Sequence, residues 1–289
     1  MPVAVRGGEG VTTREIPPLV TFSPTSYKTL LECPRKWHYY AVEQLSSKFT
    51  AATLAYGRAA HKAIEFTLAR HKTPPTPLQV AHAFGREFKA LHVAGIFYKE
   101  GDTYAKLLRH GRRLVRIWYE KSGPGFAAAT IVAVEKDLWY DLDAGLRVHA
   151  RIDLAWELDG VFYLTNFKTA ASWGPTNDEH LGVDVQLSIE AYLCWKVLGR
   201  RPDIITKDVL KKTKVPEALR RPTERSEADL EAVEPLLHQA AELARFYKRC
   251  DIRIPHEVPD CSWRCDYLPL CRSFEGAAAM FKTREKKRY

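Results

Sequence analysis

Apolar positions follow two rhythms along this chain, and the change between them organises it. From residue 25 to residue 121 they recur every three or four places, the period of helices with one face in a core. Four helices are predicted there, over 25–40, 51–71, 78–91 and 104–121. Ser23-Pro24 supplies a start signal for the first, and Pro74, Pro75 and Pro77 break the chain after the second. At Ile131 the rhythm becomes strand-like. Ile131-Val132-Ala133-Val134 and Leu138-Trp139-Tyr140 lead to a turn at Asp143-Ala144-Gly145, and strands over 146–156 and 161–168 meet at Asp159-Gly160. Residues 183–198 read as a helix, 204–210 as a strand and 226–249 as a long helix opened by Ser226 and Asp229. Helices before, within and after a central sheet predict one α/β domain with helical insertions.

The boundaries follow from composition. Residues 1–20 are rich in glycine, proline and charge and are expected to be a disordered tail. A single domain over 21–275 would hold a helical part (21–125), a sheet (130–215) and a C-terminal helix with a cysteine cluster (226–275); a basic tail covers 276–289. At 289 residues and 46% hydrophobic, the chain can bury a large core. Its formal net charge of +9 fits a polyanionic partner. No apolar run is long enough to cross a membrane, and the N-terminus lacks the apolar segment of a secretory signal, so a cytoplasmic location is expected. Six cysteines there point to ligands or core thiols rather than a disulfide framework.

The chemistry concentrates on the two predicted strands. Alternation places Val148, Ala150, Ile152 and Leu154 on one face and His149, Arg151 and Asp153 on the other. On the next strand Asn166 and Lys168 share a face. Carboxylate and carbonyl oxygens suit Mg²⁺ or Mn²⁺, and a lysine beside them can stabilise charge on a phosphate. A solvated strand face with scattered charges fits the same residues. Upstream, His61 and Glu65 lie four apart on a helix; downstream, Gln186 and Glu190 do the same, with Tyr192 rotated away. Cys261, Cys265 and Cys271 are compact, and Cys33 lies far upstream. Together they can form a four-thiolate site for iron–sulfur or zinc that staples the ends of the domain. Cys194 and Cys250 read as ordinary buried or half-buried thiols. Lys28, Arg35, Lys36, Arg58, Arg109, Arg112, Arg113 and Arg116 are candidate phosphate contacts, interleaved with Tyr27, Trp37, Tyr39, Tyr40, Trp118 and Tyr119.

In order, Gly57…His61, Ile152-Asp153, Asn166-Phe167-Lys168-Thr169 and Gln186 resemble the motifs of the RecB-like branch of the PD-(D/E)XK nuclease superfamily. The resemblance implies a restriction-endonuclease-like fold: a central mixed sheet flanked by helices. It implies that His61, Asp153, residue 166 and the Phe167 carbonyl hold Mg²⁺ or Mn²⁺, that Lys168 is catalytic and that Gln186 lines the site. Cys33 in Cys-Pro-Arg-Lys with the C-terminal triplet looks like the iron–sulfur members of this branch, the AddB-type helicase-nucleases, CRISPR-adaptation exonucleases and phage relatives. Cys33, Cys261, Cys265 and Cys271 would then hold a structural 4Fe-4S cluster. The implied activity is a DNA exonuclease acting on single-stranded or end-bearing DNA with little sequence specificity. The implied partners are a helicase, recombination proteins or CRISPR-adaptation proteins, in the host cytoplasm for a phage protein. The chain departs from the family at Asn166, where an acid is expected, and at Glu190, where the family places tyrosine. The lost anionic ligand marks an inactivated centre, an engineered substitution before a natural one, which Asn166→Asp would switch on. A DNA-binding protein on a decayed nuclease fold and a zinc-stapled interaction module are the other readings.

Overall fold

The computed structural model describes residues 19–256, 261 and 265–284. Most of the expected N-terminal tail and residues 285–289 of the basic tail lie outside the described residues. The chain runs β1 (Val20–Phe22), α1 (Pro24–Glu32), α2 (Pro34–Trp37), a π-helical turn (His38–Val42), β2 (Leu45–Ser47), β3 (Thr50–Ala51), α3 (Ala52–Leu68), α4 (Pro77–Val93), β4 (Ile96–Phe97) and α5 (Tyr104–Ser122). Then follow β5 (Thr130–Asp143), β6 (Leu146–Leu158), β7 (Val161–Ala170), α6 (Pro175–Glu179), α7 (Val185–Leu198), β8 (Ile204–Lys211), β9 (Glu217–Thr223), α8 (Glu227–Glu231), α9 (Val233–Arg249), a short helix at Leu268–Cys271 and β10 (Phe281–Thr283). Among the described residues no helix is long and apolar enough to cross a membrane.

The caps explain why the helices start where they do. Ser23 accepts from the Ser26 N–H at 3.1 Å, and Thr76 with Gln79 and Ser226 with Asp229 form capping boxes. The helix expected over 25–40 divides at Cys33, whose backbone is extended (φ −158°, ψ 107°). Pro34 disfavours helical geometry in the residue before it, so Cys33 ends α1 and caps α2. The helix expected over 226–249 likewise divides, at Ala232. β9 has Pro222 within it, which masks it as a strand, and as an edge strand it tolerates the missing donor.

The sheet runs β1-β6-β7-β8-β9, with β5 on the other edge of β6. It is mixed: β1–β6 and β7–β8 are parallel, while β5–β6, β6–β7 and β8–β9 are antiparallel. One core packs α1, α7 and α9 on one face; a second packs α3, α4 and α5 on the other. β6 serves both. Leu146, Val148, Ala150 and Ile152 enter the first core, as alternation requires. Leu154 does not follow them: it and Trp156 enter the second core, while Ala155 enters the first. The alternation breaks at Asp153. Opposite this break, on β5, Glu135 adopts φ 46°, left-handed backbone that is rare outside glycine.

The same place is a gap in the sheet. β1 and β7 both lie on the β6 edge away from β5, β1 pairing Leu146 to Val148 and β7 pairing Leu154 to Leu158. β7 continues past its last β6 partner, Thr165, and there pairs only with β8. Behind it, Asp208 on β8 is level with Phe167, is 2% exposed, and takes a two-pronged bond from Arg220 at 2.7 and 2.8 Å plus the Trp118 N–H at 3.4 Å. Trp118 also meets the Phe167 ring edge-on at 5.8 Å. Removing one partner of such a pair leaves a buried charge uncompensated. Asp208→Ala is expected to cost about 3–5 kcal/mol in urea unfolding; a loss below about 1 kcal/mol would contradict the buttressing role.

Candidate active site

The gap brings four groups together. Gly57 lets α3 approach β7 closely, since a Cβ there would lie 3.3 Å from Thr169 Oγ1. One turn on, His61 reaches the gap. Its Nε2 lies 3.1 Å from the Phe167 carbonyl, and its Nδ1 lies 3.1 Å from Glu135 Oε1 and 3.6 Å from Asp153 Oδ1. Asp153 Oδ2 accepts the Phe167 N–H at 2.6 Å, taking the place of a ladder bond where the strands part. His61, Glu135 and Asp153 offer ligand atoms all within 4.8 Å of one another. Both imidazole nitrogens face oxygen acceptors, so the pocket is built for positive charge.

The electrostatics agree. Burial pushes Asp153 up to about 6; the His61 charge, the Phe167 N–H and Lys168 pull it down, and Glu135 pushes it up. Burial alone would lower His61, but the Glu135 hydrogen bond and the Asp153 and Glu135 charges outweigh it and raise its pKa. Two acids and a carbonyl with one imidazole suit Mg²⁺ or Mn²⁺. Of the residues expected from sequence, His61, Asp153 and the Phe167 carbonyl meet here. Lys168, the next residue along β7 after Phe167, is exposed. Glu65 is elsewhere, bonded to Lys62 at 2.6 Å.

Asn166 is buried and faces Glu190, its Nδ2 at 3.4 and 3.5 Å from the two carboxylate oxygens. Gln186 donates to the same carboxylate at 2.7 Å, and burial pushes Glu190 up to about 8. Asp184 fixes this end of α7: it caps the Gln186 N–H at 3.0 Å and pairs with Lys207 at 2.5 Å, on β8 level with Asn166. Gln186 and Glu190 line a cavity of 320 Å³ with Thr25, His149 and Arg151.

Glu135 and Glu190 are absent from the sequence-based set. Glu135 has a partial signal: counting back from the Asp143–Leu146 turn puts it opposite Leu154, and the register shift between Asp141 and Asp143 brings it level with Asp153. Glu190 has one too, a carboxyl one helical turn after Gln186 where the family has tyrosine.

Of the cysteines expected to act together, Cys33 follows the end of α1, and among the described residues the four thiols do not form a ligand group as close as that of His61, Glu135 and Asp153. The Cys33 thiol accepts from the Lys36 N–H at 3.5 Å. Arg35 donates to the Arg253 carbonyl at 2.7 Å, the Cys271 carbonyl at 3.3 Å and Cys271 Sγ at 3.6 Å. Burial raises the Cys265 thiol, and the charges of Cys261 and Cys33 act on it. All four thiols are free and half-buried. β10 pairs with β2, and the Tyr267 hydroxyl donates to the Leu45 carbonyl at 2.8 Å, so the two ends of the domain are laced together. Cys194 is buried, with its thiol pushed up to about 12, whereas Cys250 is exposed, contrary to expectation.

The nucleic-acid surface is narrower than the sequence suggests. Arg58, Arg109, Arg112, Arg113 and Arg116 are exposed. Tyr27, Trp37, Trp118 and Tyr119 are core residues and present no ring to a base; only Tyr39 and Tyr40 of that set are partly accessible. Arg35 is committed to the cysteine end.

Residues 21–272 match the family model of the PD-(D/E)XK nuclease superfamily, and the chain belongs to that superfamily. Its fold is similar to that of a "Putative exonuclease" from Eubacterium rectale, at 13% identity and TM-score 0.51 over 93% of this chain and 91% of that one. The structure of SSO0001 also matches, at 13% identity and TM-score 0.39 over 88% of this chain and 86% of that one. No curated protein matches the chain.

A cation held at this site would bind with pH-dependent affinity. Protons on Asp153, raised to about 6, and on His61, raised above its ordinary value, compete with a cation. Mn²⁺ affinity measured by calorimetry is expected to be full at pH 7.5 and to fall at least about tenfold by pH 5. A flat profile would contradict these ligands.

Proposed function

We propose that this protein is a Mg²⁺- or Mn²⁺-dependent DNA exonuclease that hydrolyses single-stranded or end-bearing DNA and carries a structural 4Fe-4S cluster. The observation that carries the reading is the meeting of His61, Glu135, Asp153 and the Phe167 carbonyl in the gap between β6 and β7, beside Lys168. These four groups would hold the divalent cation, which supplies Lewis-acid stabilisation of the phosphoryl group. Lys168 would stabilise the charge that develops on the phosphate. Arg151 and His149 in the adjoining cavity would steer the strand toward the gap. A helicase, recombination or CRISPR-adaptation partner would supply such ends in the cytoplasm.

End-labelled linear and circular single strands separate the modes of attack. The linear strand is expected to be degraded in Mn²⁺ and the circle spared, with Asp153→Asn and Lys168→Ala each losing on the order of 10²-fold. Cleavage of the circle would make the protein an endonuclease. Undiminished cleavage by Asp153→Asn would remove the site. DNA binding with no cleavage would favour the non-catalytic reading that Asn166 motivates.

Cys33, Cys261, Cys265 and Cys271 would hold the cluster. What supports this is that all four thiols are free and half-buried, that the Cys33 and Cys261 charges act on Cys265, and that Arg35 and Lys36 offset thiolate charge. Anaerobically purified protein is expected to contain about four irons and about four sulfides per chain. Stoichiometric zinc without iron would contradict it and favour the zinc-stapled reading.

A further inference from the structure

We infer that Glu190, on α7, supplies the metal centre with the carboxylate that Asn166 lacks. The inference rests on the nuclease reading above and deepens it. Glu190 is 2% exposed and belongs to no ion pair among the described residues. Its hydrogen-bond partners are two neutral amides, those of Asn166 and Gln186. The lysine nearest this end of α7, Lys207, is committed to Asp184 at 2.5 Å. Amides alone offset little of the cost of withdrawing a carboxylate from water, so Glu190 carries either a proton or a cation, and a divalent cation that displaces the proton would take it as a ligand.

Packing offers no other reason for an acid here. Leu187, Ile189, Ala191, Tyr192, Leu193 and Cys194 bury the same stretch of α7 as core side chains. Glu190 instead points at the one place on β7 where the motif asks for an acid and the chain has an amide. Asp153 precedes Leu154 and Asn166 follows Thr165, the last pair that joins β6 to β7, so both stand where the strands part. The 320 Å³ cavity that Glu190 and Gln186 line gives an ion a path to this carboxylate. The anionic oxygen has thus moved from the strand to the helix that covers it. The centre keeps its charge, and the chain needs no acid at 166 to be active.

The test is a charge swap read by Mn²⁺ binding, using calorimetry, and by degradation of a linear single-stranded oligonucleotide. Glu190→Gln is expected to weaken Mn²⁺ binding by at least about tenfold and cleavage by on the order of 10²-fold. Adding Asn166→Asp to Glu190→Gln returns an acid to β7 and is expected to restore both to within about tenfold of the parent. Asn166→Asp alone is expected to give no gain of orders of magnitude, because it sets a second acid against Glu190. The inference is overturned if Glu190→Gln binds Mn²⁺ and cleaves like the parent. It is also overturned if the double variant folds but stays without Mn²⁺ binding. Should Glu190→Gln alone fail to fold, the double variant decides by the same two readouts. Asp153→Asn separates the levels. If it keeps Mn²⁺ binding, the metal-centre reading itself fails. If it loses binding while Glu190→Gln keeps it, only the role of Glu190 falls.

Discussion

The structure depends on the cost of holding carboxylates out of water at one point. Glu135 and Asp153 meet His61 where β6 and β7 part, Glu190 faces Asn166 on β7, and Asp153 and Glu190 are almost wholly buried. One imidazole and two amides stand against them. An isolated buried carboxylate costs several kcal/mol, and like charges placed together add to it. The Lys168 charge acts on Asp153 and the Lys207 charge on Glu190, and a divalent cation would relieve the remainder. Burial lifting Asp153 to about 6 and Glu190 to about 8 is the same cost seen in proton affinity.

Much of the architecture serves that point. The sheet opens because β1 and β7 share one edge of β6 and leave the middle of that edge unpaired. α3 brings His61 to the opening, close-packed at Gly57, and α7 brings Gln186 and Glu190. Helix caps fix where α7 begins, and Asp208, Arg220 and Trp118 stiffen the strand that presents Phe167. The left-handed backbone of Glu135 fits the same logic, because strain in a strand persists where the surroundings require it.

The sequence made part of this legible. The switch from helical to strand rhythm at Ile131 locates the sheet, and the order of the motifs names His61, Asp153 and the Phe167 carbonyl among the groups that meet at the gap. What it hid has identifiable causes. Alternation assigns Leu154 to the wrong core because the strand breaks step at Asp153, and no local pattern records that. Glu135 is eighteen residues before Asp153 and becomes its neighbour only through hairpin register. Glu190 comes to Asn166 through a crossover between parallel strands. Aromatics such as Trp118 alternate with arginines on one helix, so a buried face and a solvated one look like a single nucleic-acid surface. Asn166 read alone signals a dead centre; set against Glu190 it signals a relocated charge.

A crystal of the unmodified protein soaked in Mn²⁺ at pH 7.5 tests the central claim most directly, by anomalous scattering. A manganese peak bonded to Asp153 and His61, with Glu135 or Glu190 completing the carboxylate set, is the result this account predicts. Clear carboxylates in the gap with no peak between them, or manganese bound elsewhere, would contradict it.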